Sequence, residues 1–122
     1  MAQIGVLHTR EGGRVGFHCP GCKEAHVIAA DPARPQRNGA VWGFNGDYDR
    51  PTFTPSILMR RTDYEPPVTP ENIEEWRRAP WPQTPVERVC HSFVTDGQIQ
   101  FLGDCTHSLA GQTVPLAAQV EV

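Results

Sequence analysis

The chain has 122 residues, of which 39 % are hydrophobic, with 12 prolines, 11 glycines and a formal net charge of −3. That length sets one domain over 1–122, and the acidic balance argues against a nucleic-acid binder, which usually shows a basic surplus. No run approaches the ~20 apolar residues of a membrane-crossing helix, and "MAQIGVLHTREGG" has no charged start followed by an apolar stretch. A cytoplasmic location is expected, where thiols stay reduced and paired cysteines serve as metal ligands rather than disulfides.

In chain order, residues 3–8 (QIGVLH) and 13–18 (GRVGFH) read as short strands around the turn "TREGG". The knuckle Cys19-Pro20-Gly21-Cys22 follows, and then a strand at 25–30, AHVIAA. Residues 31–38 (DPARPQRN) are a loop broken by proline and asparagine. "AVWGF" at 40–44 reads as a buried strand, and "TFTPSILMR" at 52–60 as a strand made edge-like or bulged by Pro55. Residues 61–87 hold six of the twelve prolines and read as an excursion on a β scaffold. One helix fits inside it near 70–78, with Thr69 as N-cap, Pro70 next, glutamates early and Arg77 and Arg78 late.

The segment "VCHSFVTDGQIQFLGDC" predicts a hairpin about a type I′ Asp-Gly turn, in register Thr95–Gln98, Val94–Ile99, Phe93–Gln100 and Ser92–Phe101. Alternation puts Cys90 and Cys105 on one face at its open end, and His91 and Asp104 on the other. Two thiols there and two from the knuckle predict one tetrahedral zinc held by Cys19, Cys22, Cys90 and Cys105. A three-cysteine set completed by His107 or His18 is the alternative, since both lie beside loops; His91 would require a bulge. A four-ligand site is closed to water and therefore structural.

His91, Asp104 and His107 form a candidate pocket, because a carboxylate orienting an imidazole is a recurring acid–base arrangement. No P-loop, no G-x-G-x-x-G and no H-E-x-x-H occurs. Trp42, Phe44, Trp76 and Trp81 are candidates for a partner-binding surface, being aromatic residues set among polar ones.

The pieces "RPTFTPSI", "CHSFVTDGQIQFLGDCTH" and "LAGQTV", within a match running from Phe17 to Leu116, resemble a family of small phage- and prophage-encoded zinc-binding proteins. Relatives carry labels such as ammonia monooxygenase or anaerobic dehydrogenase, which these residues do not support: nothing here looks like a copper, haem, flavin or nicotinamide site. The resemblance also implies an association with bacterial ubiquitin-like conjugation or defence genes, and so a protein-binding role. The expected fold is mainly β: a zinc-ribbon-like hairpin joined to a small antiparallel sheet with one short helix. The expected function is a phage accessory protein that binds a host or phage protein and carries structural zinc. A zinc-dependent hydrolase using His91, Asp104 and His107 is the enzyme alternative, and a nucleic-acid-binding zinc ribbon the third.

Overall fold

The computed structural model describes residues 2–117 and is mainly β. Strands β1 (Ala2–Ile4), β2 (Leu7–Arg10), β3 (Arg14–Cys19) and β4 (Glu24–Ala29) form one antiparallel sheet in sequential order. Strands β5 (Gly43–Phe44), β6 (Phe53–Glu65), β7 (Thr84–Thr95), β8 (Gln98–Phe101) and β9 (Thr113–Pro115) form a second. Every paired strand meets its neighbour in sequence, so hairpins build both sheets and no crossover is needed.

The hairpin register is the expected one, Thr95 opposite Gln98 through Ser92 opposite Phe101. Asp96 and Gly97 take φ of 50° and 77°, the left-handed values a type I′ turn requires. Alternation then turns Val94, Ile99 and Phe101, with the buried Ser92 beside them, into a core that also contains Leu7, Val15, Phe17 and Ile28 from the first sheet. Phe17 and Phe53 stack across it at 6.2 Å between centroids. Burial of each such phenylalanine contributes about 2–3 kcal/mol. The exposed ion pair that crosses the sheets, Arg61 with Glu24, contributes well under that, about 0–1 kcal/mol. Apolar packing therefore joins the sheets.

Two elements differ from expectation. Strand β6 runs on to Glu65 and pairs with β7 back to Thr84, so the ends of the proline-rich 61–87 segment are a two-stranded ribbon and only its middle is an excursion. Alternation of Arg61, Asp63 and Glu65 with Arg88 stabilises that ribbon by charge pairing rather than burial, a signal hidden by the prolines. The helix α1 (Ile73–Arg78) is the only α-helix among the described residues and starts later than Pro70. Asn72 takes the cap position, while its side-chain carbonyl accepts the Thr69 amide at 2.7 Å and closes a turn ahead of the helix. No helix of the described residues is long and apolar enough to cross a membrane.

Strand β6 is irregular where Pro55 falls: the register shifts between Phe53 and Ile57. A bulge re-aims the side chains it contains. Ser56 lies inside it, and the Trp42 indole N–H donates to the Ser56 carbonyl at 3.2 Å, fixing that stretch of backbone.

Candidate metal centre and serine–histidine–aspartate site

Cys19, Cys22, Cys90 and His107 bring one donor atom each to within 4.8 Å of one another. Cys19 ends β3, Cys22 lies in the β3–β4 knuckle, Cys90 is on β7 and His107 follows β8. The Cys19 and Cys90 sulfurs are 3.9 Å apart, and Cys90 Sγ is 3.5 Å from His107 Nε2. The edge of a tetrahedron around a thiolate-bound ion is about 3.8 Å, from a metal–sulfur distance of about 2.3 Å. The donor set thus fits a metal ion. Gly21 fits it too: a Cβ there would collide with the His107 ring, so only glycine admits the imidazole. The knuckle closes through Lys23, whose amide donates to the Cys19 carbonyl at 2.8 Å and whose φ is 58°. The left-handed turn therefore falls on Lys23, where knuckles often carry glycine, and not on Gly21.

Cys105 is not in this group. The turn at Leu102–Cys105, closed by the Cys105 amide on the Leu102 carbonyl at 3.2 Å, ends β8 at Phe101. Thr106 is thereby returned against Val89, its amide 2.9 Å from that carbonyl, and His107 is the residue that reaches Cys90. The Cys105 thiol instead accepts from the His91 amide and donates to the His91 carbonyl, both at 3.2 Å. His18, the other alternative, is also outside the group.

Without a cation, the three thiols share one charge. Cys19 is pulled down to about 3 by the Cys90 hydrogen bond, against its burial, helped by the neighbouring His26 and then by the Cys22 amide. Cys22 is pushed up to about 11 by burial and by the Cys19 charge, and Cys90 rises because it donates to Cys19. Between those limits two thiols stay protonated, and a bound divalent ion must expel both protons. Metal affinity is therefore expected to rise with pH, with log K climbing by about 2 per pH unit through pH 7–8. Calorimetry in buffers of different ionisation enthalpy counts the released protons directly. His107 Nδ1 accepts the Leu109 amide at 3.2 Å, so an ion on Nε2 moves the ring proton to Nδ1 and requires the 107–109 turn to adjust.

The second constellation lies one residue away. His91 Nδ1 is 3.2 Å from Asp104 Oδ2, and His91 Nε2 is 3.0 Å from Ser56 Oγ. The carboxylate only accepts, so Nδ1 carries the proton, Nε2 is the free lone pair, and the Ser56 hydroxyl donates to it. That is the order of partners in a serine–histidine–aspartate triad. The His91 side chain is 27 % exposed and that of Asp104 53 %, so the arrangement opens to solvent on the outer face of the second sheet. Ser92, adjacent to His91, points the other way; it is 1 % exposed with its hydroxyl unpartnered, and no substrate reaches it.

His91 and Asp104 were expected together and are together; His107 leaves them for the thiols. Ser56 carried no sequence signal beyond its place in "TFTPSI", since nothing local tells a strand serine from a reactive one. Of the aromatic candidates, Trp42 holds the Ser56 carbonyl and Phe44 stacks on Phe53 at 5.1 Å. Trp76 donates to the Trp81 carbonyl at 3.3 Å and Trp81 to that of Pro66 at 3.2 Å, which folds the inserted segment onto itself. A cleft of about 560 Å³ opens over the thiols between Glu24, Arg61 and Arg88. It contains no serine.

Two antiparallel sheets carrying an exposed serine–histidine–aspartate arrangement beside a cysteine–histidine cluster define a small β protein with a triad-like side-chain relay. Residues 2–102 match the model of the bacterial ubiquitination-like system serine protease family, BubE, and the chain belongs to that family. No match to a curated protein or to a solved structure is found.

Proposed function

We propose that this protein is a serine hydrolase of a bacterial ubiquitination-like system, with Ser56 as nucleophile, His91 as general base and acid, and Asp104 as the group that orients and stabilises the imidazole. The single observation that carries this reading is the Asp104–His91–Ser56 relay, with both hydrogen bonds near 3 Å and the tautomer set by the carboxylate. Ser56 Oγ adds to the carbonyl carbon of the scissile bond and its proton passes to His91 Nε2. Collapse of the tetrahedral adduct expels the leaving group, which takes that proton. Water, deprotonated by the same nitrogen, then releases the acyl group from Ser56. Within such a system the acyl donor is the modifier itself, as a precursor or a conjugate, so the protein partner expected from sequence becomes the substrate.

The ion is proposed to be zinc, bound by Cys19, Cys22, Cys90 and His107, because three thiolates and an imidazole suit zinc best among common divalent ions. Its role is structural. A zinc hydrolase built on His91, Asp104 and His107 is disfavoured, since His107 lies with the thiols and four protein donors leave no position for water. A phage origin or a nucleic-acid role adds nothing that the site requires. Incubation with an alkyl fluorophosphonate tests the reading: one adduct per chain, mapped to Ser56 by mass spectrometry and absent from His91→Ala, is the expected result. Adducts on another serine, or none, would remove the assignment.

A further inference from the structure

Four side chains stand at the corners of one square on the outer face of the β6–β7 pair. Leu58 lies opposite His91 across the two strands. Phe93 is two residues after His91, and residues two apart in a regular strand share a face; Ser56, inside the bulge, is brought to the same face by its contact with His91. Ser56 and His91 occupy one diagonal, in contact at 3.0 Å. Leu58 and Phe93 occupy the other, 44 % and 41 % exposed, and they are two of the four large hydrophobic residues left exposed among the described residues. Phe93 also walls a hollow of about 420 Å³ whose other sides include Arg50, Thr95, Gln98 and Gln100, giving an extended chain room to continue.

We propose that Leu58 and Phe93 determine the specificity of the hydrolase, each supporting an apolar side chain of the substrate on one side of the scissile bond. The inference rests on Ser56 being the nucleophile. A carbonyl carbon within reach of Ser56 Oγ, with its leaving group within reach of His91 Nε2, must sit over the reactive diagonal. A chain that crosses that point passes Leu58 on one side and Phe93 on the other. Contact there removes apolar surface from water only when the substrate supplies an apolar side chain. Glycine gains nothing, and aspartate additionally loses hydration. A single apolar contact of this size discriminates by about 10- to 100-fold in kcat/KM.

The test uses N-acetyl amino-acid p-nitrophenyl esters of Leu, Phe, Gly and Asp, with each rate divided by the uncatalysed rate of the same ester. Wild type is expected to favour Leu and Phe over Gly and Asp by about tenfold or more. Of Leu58→Ser and Phe93→Ser, the one on the acyl side is expected to erase that preference while its melting temperature stays at the wild-type value, both positions being exposed. Equal rates across the four esters, or a preference that survives both substitutions, would overturn the subsites. Fluorophosphonate labelling of wild-type Ser56 separates the two ideas: labelling without selectivity defeats only the subsites, whereas no labelling defeats the hydrolase itself.

Discussion

Replacing Ser56 by alanine is expected to lower ester or peptide hydrolysis by about 10³-fold or more while leaving the melting temperature unchanged. Ser56 is half-buried on the outer face, its hydroxyl bonds only His91, and its loss leaves no core cavity. His91→Ala is expected to cost as much, and the double variant little more than either alone, because the two groups act as one unit. Asp104→Asn should cost less than these. The Asp104 carboxylate is 53 % exposed, so solvent already screens the imidazolium it faces. The asparagine can also turn its carbonyl oxygen toward Nδ1 and keep the tautomer. A loss of about 10- to 100-fold is expected there, read as kcat with KM unchanged. Full activity in Ser56→Ala would end the nucleophile assignment; equal and total losses at all three positions with lowered melting temperatures would make the cluster structural.

The second large effect is loss of the metal. Chelation, or Cys19→Ser, is expected to abolish hydrolysis and to lower the melting temperature together, with zinc restoring both in the chelated protein. The coupling is covalent and short. Cys90 immediately precedes His91, and His107 follows Asp104 by three residues, so two donors flank the imidazole and the carboxylate of the other cluster. The thiol of Cys105 clasps the His91 backbone between them. Without an ion, one thiolate and two thiols are kept close only by packing and weak sulfur hydrogen bonds, which tie the knuckle that carries Cys19 and Cys22 to β7 far less firmly. A site occupied at about 1,000 times its dissociation constant contributes about 4 kcal/mol of stability, a large fraction of the ~5–15 kcal/mol that a domain possesses. Calorimetric melts with and without chelator, alongside fluorophosphonate labelling, measure the two losses separately. Retained labelling in metal-free protein would uncouple the sites.

The strands and the hairpin register were legible because they depend on local chemistry. Asp96-Gly97 selects its own turn, and the period-two pattern from Ser92 to Phe101 has one face that must be buried. The three cysteines of the cluster were legible for a similar reason, since a knuckle and a hairpin each present thiols at set spacing. The exchange of Cys105 for His107 was not. It depends on where β8 stops, which the Leu102–Cys105 turn decides, and a shift of two residues there changes which side chain faces Cys90. The register of the irregular stretch around Pro55 was equally out of reach, and with it the aim of Ser56.

Local pattern was thus enough to establish a small, hairpin-built β chain with three thiols that could hold a metal ion and a histidine and an aspartate on a shared outer face. Tertiary pairing alone supplied the third member, because Ser56 and His91 are 35 residues apart. Long-range strand pairing is chosen by the joint burial of two distant faces, Phe53 and Ile57 against Val94 and Phe101, and no single stretch of sequence contains that free energy.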